Sequence, residues 1–281
     1  MPEWLGIAIA CIYGAVVGSF LNVLIWRLPR DESIVRPGSH CPSCDTLLRA
    51  WDLVPLFSFL AQRCKCRYCG TPVSWRYFAV EAITSAFFGV LYLAYGYDLL
   101  TFLAFALFGA SLIAIFFIDL DHWIIPDQLS LFGILIGIAH EVIGLALRRE
   151  GYGYYRIPFP GLENGLPMLR SIIGMLASGG IFLAIAVLSY YIFKKEGLGG
   201  GDVKLAAAIG ANLALSHAML SFFLAVALGS IIGVGLIVIG RKTRKDYVPF
   251  GPMMVAGAFI AMFYGKELIG IWMNYVGLNS I

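Results

Sequence analysis

The chain has 281 residues, enough for one or two domains, but 60% of them are hydrophobic, only 13% are charged, and the mean hydropathy is +0.84. A soluble chain is closer to half apolar and a quarter charged, so this composition excludes a cytosolic globular enzyme, a disordered chain, a coiled coil and a secreted disulfide scaffold. It predicts an all-α polytopic membrane protein, and the net charge of +3 matters only through where the charges lie.

A bilayer core takes about 20 apolar residues per helix. Read with that ruler, the chain predicts spans at 4–26, 77–95, 99–118, 128–147, 171–193, 218–240 and 250–273. An eighth, 203–216, is apolar but short, and reads as a half-length or tilted helix or as the first arm of a tight hairpin turning between Asn212 and His217. The first span is too long for a signal-peptide core and nothing basic precedes it, so it is expected to be retained. The expected organisation is a first transmembrane helix (1–26), a long connecting loop (27–76) and a helical membrane domain (77–281).

Counting Lys and Arg gives eight at 27–76, three at 194–204 and four at 241–245, so 15 of 20 fall on one side if eight helices alternate. The positive-inside rule makes that side cytosolic and puts both termini outside. Arg148, Arg149, Arg156 and Arg170 form a mild exception on the other side.

Five of the six cysteines fall within 29 residues of the first loop, as Cys41-Pro-Ser-Cys44 and, 21 residues on, Cys66-Arg-Tyr-Cys69-Gly70. Two such pairs can each turn two thiolates toward one metal and complete the closed tetrahedral site that structural zinc prefers. Two disulfides are the alternative, and they suit an oxidising compartment rather than cytosol. Cys64 could stand in as a ligand, although the register with Tyr68, Cys69 and Gly70 favours Cys66. Cys11, within the first span, reads as a packed apolar residue.

Ionisable groups at membrane depth point to function. In Phe117-Ile118-Asp119-Leu120-Asp121-His122-Trp123-Ile124-Ile125-Pro126-Asp127 an apolar run passes straight into three carboxylates. In Gly197-Leu198-Gly199-Gly200-Gly201-Asp202-Val203-Lys204 a glycine cluster delivers another carboxylate to the start of an apolar stretch. Both segments fall at the expected cytosolic face. Gly199 and Gly201 would let an extended peptide lie beside Asp202. The string is neither a phosphate loop nor a dinucleotide fingerprint. Two carboxylates brought together in a partly desolvated site share one proton and hold a water between them, as aspartic proteases do. Asp121 and Asp127 read as plain loop or cap carboxylates, Asp127 as an N-cap, and His122 as an interfacial residue rather than a ligand. Glu81, His140 and Glu141 are either buried polar glue or part of a pathway.

Over essentially its whole length the sequence resembles the prepilin leader peptidases, bifunctional GxGD-type aspartic proteases of type IV pilus and type II secretion systems. The resemblance rests on Gly18-Ser19-Phe20-Leu21-Asn22-Val23 with Arg27-Leu28-Pro29, the two cysteine pairs, Arg76-Tyr77 with Glu81, Asp119 leading to Ile125-Pro126-Asp127, Gly199-Gly200-Gly201-Asp202-Val203-Lys204, and Pro249-Phe250-Gly251-Pro252. It implies eight spans in the bacterial inner membrane, with Asp119 and Asp202 as the catalytic pair and Asp121 and Asp127 outside it. The implied substrates are prepilins or pseudopilins cut after the Gly that ends a basic leader, and the implied partners are the pilus or secretion machinery, with no nucleic acid. It also implies methylation of the new N-terminal amine with S-adenosylmethionine, for which no cofactor motif is visible. A proton-coupled transporter is the rival reading, since it also uses intramembrane carboxylates and glycine-broken helices; it expects inverted repeats, and the two halves show none. A scaffold protein and a metalloprotease stand further off, the latter for want of an HExxH motif.

Overall fold

In the computed structural model, residues 2–147, 170–194, 198–241, 243 and 249–276 are described. The expectations placed on Arg148, Arg149, Arg156, Lys195, Gly197, Lys242, Arg244 and Lys245 fall outside them. The regular elements among the described residues are all helices, with two isolated bridges in the first loop. The long helices are α1 (Glu3–Arg27), α3 (Trp75–Tyr95), α4 (Leu99–His122), α5 (Asp127–Ala146), α6 (Arg170–Phe193), α7 (Gly200–Val238) and α8 (Gly251–Val276), with a short α2 (Phe57–Ala61) in the loop. All seven long helices are apolar and long enough to cross a membrane. Large apolar side chains such as Leu103, Leu135, Leu183, Val234 and Ile271 stand on their outer surfaces, as befits helices solvated by lipid. The chain is a multi-pass membrane protein. Its two compact units divide between Ile118 and Asp119, within α4.

In the first unit α1 and α3 run antiparallel at close range because α1 presents small residues. A Cβ at Gly14 would lie 2.7 Å from the Thr84 carbonyl oxygen, and one at Gly18 would lie 2.8 Å from the Glu81 Cα. Without a hydrophobic drive between helices in lipid, such backbone approach is what lets them associate. Polar groups add to it: Asn22 Nδ2 donates to the Tyr77 carbonyl at 3.1 Å, and Ser85 Oγ to that of Cys11 at 2.9 Å. Cys11 packs over Gly89, the apolar role expected of it. The insert 27–76 lies wholly within this unit, and polar contacts help to tie it to the helices. Buried Arg27 donates to the carbonyls of Ser33, at 2.8 Å, and Pro37, at 2.7 Å. Glu81, also buried, accepts the Leu56 N–H at 2.8 Å and a hydrogen bond from Ser19, so it is polar glue for the insert.

In the second unit α7 has a break at Ala214, whose φ of 59° and ψ of 170° are non-helical. The chain reverses there. A straight helix would hold Asp202 and Gly229 roughly 40 Å apart at 1.5 Å per residue. Yet Gly251 touches Asp119 beside Asp202, while the adjacent Phe250 lines a cavity with Gly229. Gly257 meets Ser221 and Ala225, and Gly265 meets His217, so α8 descends along an arm that climbs back from Ala214. Residues 200–213 form the first arm of a helical hairpin and residues 215–238 the second, which makes eight membrane helices among the described residues, the hairpin being one of the options offered for the apolar run at 203–216. The first arm packs against α6 through Gly174 and Gly210, and against α5, where Asn212 Nδ2 donates to the Gly133 carbonyl at 2.8 Å. Fourteen residues reach about 21 Å, short of a hydrocarbon core of about 30 Å, so the two ends of this arm cannot both reach the headgroups.

Candidate active site and metal centre

Asp119 is not in a loop after its helix; α4 continues to His122 and carries Asp119 in its last turn, 5% exposed. Asp202 is the third residue of α7 and partly exposed. The hairpin and α8 bring the two carboxylates, 83 positions apart in the chain, within electrostatic range of each other. Each is held by the N-terminus of a helix. The Gly251 N–H, first in α8, donates to Asp119, and the Gly199 N–H, at the N-cap of α7, donates to Asp202 Oδ2 at 3.0 Å. These donors are among the N–H groups that a helix leaves unsatisfied at its start, and they carry the positive end of its dipole. Two such ends aimed at one spot suit a pair of carboxyls carrying negative charge between them.

The glycines have separate tasks. Gly201 packs against Ile125, whose Cβ would lie 2.9 Å from a Cβ added there, while Gly199 supplies an N–H. Gly251 is tighter still, since a Cβ would come 2.5 Å from Asp119 Oδ2. Its place in this site is visible only in three dimensions, although Gly-Pro at the start of an apolar run marks a helix N-terminus with free donors. Asp127 is the first residue of α5 rather than its N-cap, which is Pro126. Its carboxylate accepts from Lys204 Nζ at 2.6 Å, across from the start of α7. Asp121 and His122 are exposed and Glu141 is buried.

In the first unit the sulfurs of Cys41, Cys44, Cys66 and Cys69 lie within 4.8 Å of one another. Two matching turns put them there. Asp45 (φ 53°) and Gly70 (φ 72°) follow the second cysteine of each pair in left-handed conformation, and Thr46 and Thr71 each meet the preceding thiol, at 3.4 and 3.3 Å. Cys64 holds the place that Ser39 holds in the first turn: the carbonyl of Ser39 accepts from Leu48 and that of Cys64 from Val73. It therefore lies two residues outside the cluster. The Cys41 and Cys69 sulfurs are 3.9 Å apart, close to the roughly 3.8 Å edge of a tetrahedron with 2.3 Å metal–sulfur bonds. The donor set fits a metal. Burial pushes the Cys41 thiol up to about 11, so a metal must displace its proton on binding. Asp52 braces the insert by accepting from Tyr68 at 2.8 Å and Gln62 at 3.3 Å, and the Tyr68 hydroxyl holds its carboxyl below the usual carboxylate range.

These observations define a class: a polytopic helical membrane protein with paired aspartates at two helix N-termini and a four-cysteine insert. Residues 12–95 match the bacterial peptidase A24 N-terminal domain and residues 106–234 match the type IV leader peptidase family. A prepilin leader peptidase/N-methyltransferase of Bacillus subtilis (strain 168) is 30% identical over 95% of this chain and 98% of its own length. Namesakes from Legionella pneumophila (31%, 97% and 96%) and Neisseria gonorrhoeae (29%, 90% and 89%) align almost as fully. The chain belongs to the type IV leader peptidase family. No solved structure matches it.

Proposed function

We propose that this chain is a membrane aspartic endopeptidase that removes the leader from type IV prepilins or pseudopilins, and that it methylates the new N-terminus. The observation that carries the first half is the meeting of Asp119 and Asp202 under two helix N-termini. In the proposed step a water between the carboxyls attacks the carbonyl carbon of the scissile bond. The ionised carboxyl takes a proton from that water and the other gives its proton to the carbonyl oxygen. Collapse of the tetrahedral intermediate then breaks the C–N bond as the leaving amine gains a proton. Loop charges support a cytosolic position for both carboxylates in the bacterial inner membrane, where a basic leader ending in Gly would lie beside its apolar helix. The comparisons offer no support for a transporter.

Methylation is supported by the relatives' names and the match at 12–95. S-adenosylmethionine would supply the methyl group. The four cysteines would hold a structural zinc, which with four thiolates has no open position for water and so acts as a crosslink for a loop without a core of its own. One zinc per purified chain is expected. Cys66→Ser should lose it and leave 27–76 open to protease, whereas Cys64→Ser should keep it; the reverse pattern would move the ligand register to Cys64.

The test of the whole reading uses the detergent-solubilised full chain and a prepilin, with the product weighed by mass spectrometry. A product lacking the leader, and one methyl heavier when S-adenosylmethionine is added, is the expected result. An intact substrate with a folded enzyme would remove the reading.

A further inference from the structure

The loop that carries the four cysteines leaves large apolar side chains uncovered. Trp51 is 79% exposed, Phe57 70% and Leu60 55%, and Leu53 is exposed beside them. They belong to the 3₁₀ turn Ala50–Leu53 and to α2, which pack against each other. Phe57 and Leu60 are three residues apart, so they share one face of their helix. Contiguous apolar surface of this kind marks an interaction site, and its depth in the first unit says what covers it.

Two sets of contacts fix that depth. The Leu56 N–H, just before α2, donates to Glu81 at 2.8 Å. The buried Phe59 ring meets Trp75 edge-on at 5.1 Å and Phe78 at 5.5 Å. Helix α2 therefore lies alongside the opening turns of α3, not beyond its end. The 21 residues of α3 reach about 31 Å, hardly more than a hydrocarbon core of about 30 Å, so those turns sit where the core meets the headgroups. Trp26 in the last turn of α1 and Trp75 at the start of α3 are of the type that prefers this level. Charge agrees with depth. Arg49 and Arg63 flank the patch and are exposed, whereas the carboxylate between them, Asp52, is 2% exposed and turned inward to Tyr68 and Gln62.

We propose that residues 49–63 are an in-plane membrane anchor for the cysteine insert. Trp51, Leu53, Phe57 and Leu60 enter the lipid beside α3, and Arg49 and Arg63 meet the phosphates of the surrounding phospholipids, as in amphipathic segments that lie in an interface. The bilayer then holds the insert from below, and the Glu81 contact with Leu56 keeps the anchor at its depth. This anchor is independent of the peptidase chemistry and goes beyond it.

The experiment places the full chain in nanodiscs of phosphatidylethanolamine and phosphatidylglycerol, with plain or brominated acyl chains, as wild type, Trp51→Phe and Phe57→Trp. Bromine quenches tryptophans that reach the acyl region, and acrylamide quenches those in water. The emission that Trp51→Phe removes, and that Phe57→Trp adds, is expected to fall about twofold or more in brominated lipid and to resist acrylamide. If acrylamide quenches both signals and bromine neither, the face lies in water, as a surface for a soluble protein partner would, and the anchor is overturned. Trypsin gives a second readout. In Phe57→Asp combined with Leu60→Asp, cutting after Arg49 and Arg63 should rise about tenfold or more, while Arg67 in the second cysteine turn is cut no faster. Both substituted side chains are exposed, so the insert keeps its fold. Wild-type cutting rates at Arg49 and Arg63 in that variant would equally overturn the anchor.

Discussion

Asp119→Asn and Asp202→Asn are each expected to lower prepilin cleavage by about 10³-fold or more, to background, while the protein still inserts and purifies. The size follows from the roles. In the proposed step each carboxyl takes or gives a proton at the reacting atoms, a contribution of about 10²- to 10⁴-fold, and each also positions the water. An amide keeps the volume and the hydrogen bond from the helix N-terminus but can neither accept the water's proton nor donate an acid proton. The two losses should not multiply in the double variant, because either change already disables the unit. Asp121→Asn, by contrast, alters an exposed carboxylate on the same turn of α4 and should stay within a few-fold of wild type. Complete loss in Asp121→Asn with activity kept in Asp119→Asn would mean that the wrong member of the cluster has been assigned.

Gly251→Ala should lower kcat by about 10²-fold with little change in KM, a loss near 3 kcal/mol in the barrier. The added methyl would sit 2.5 Å from Asp119 Oδ2 and 3.1 Å from its Cγ, with Ile125 Cδ1 at 3.3 Å closing the other side. The carboxylate must swing away, and a displacement of about 1 Å at a reacting group costs about this much. Binding of the leader and the apolar helix is unaffected by that shift, which is why KM should hold. Gly180→Ala is the matched control, since nothing lies within 4 Å of a Cβ there and the helix is kept. Full activity in Gly251→Ala would show that Asp119 does not depend on the start of α8, and the geometry proposed for the pair would have to be abandoned.

Much of this site was legible in the linear chain, and the divide has a physical basis. The four-cysteine cluster is a local matter. Each Cys-x-x-Cys turn is closed by hydrogen bonds within a few residues and by a left-handed Asp45 or Gly70, so spacing carries the information. Composition likewise suffices for membrane helices, because the bilayer imposes a length and an apolarity on each. Asp119 and Asp202 were conspicuous because unpaired carboxylates are costly where those runs end. Their meeting was not readable from the residues themselves, since the contact is set by how α7 and α8 pack. The reversal at Ala214 involves neither Gly nor Pro, so the sequence could offer a hairpin only as one option among three. Tertiary packing selects it, through Asn212 reaching the Gly133 carbonyl and through the close approach of Gly174 to Gly210.

Gly251 shows the same limit more sharply. Its neighbours Pro249, Phe250 and Pro252 made it part of a familiar string, but that its N–H holds Asp119 depends on a helix beginning 132 positions later along the chain. Asp127 was misplaced as an N-cap for a related reason: cap preference is local, while its actual partner, Lys204, arrives from another helix. The sequence by itself determined the membrane class, the helix count within one and the four-cysteine cluster, because these rest on solvent and on short-range turns. Only the tertiary structure decided the hairpin and the donors that hold each aspartate, because each is made by groups that packing alone brings together.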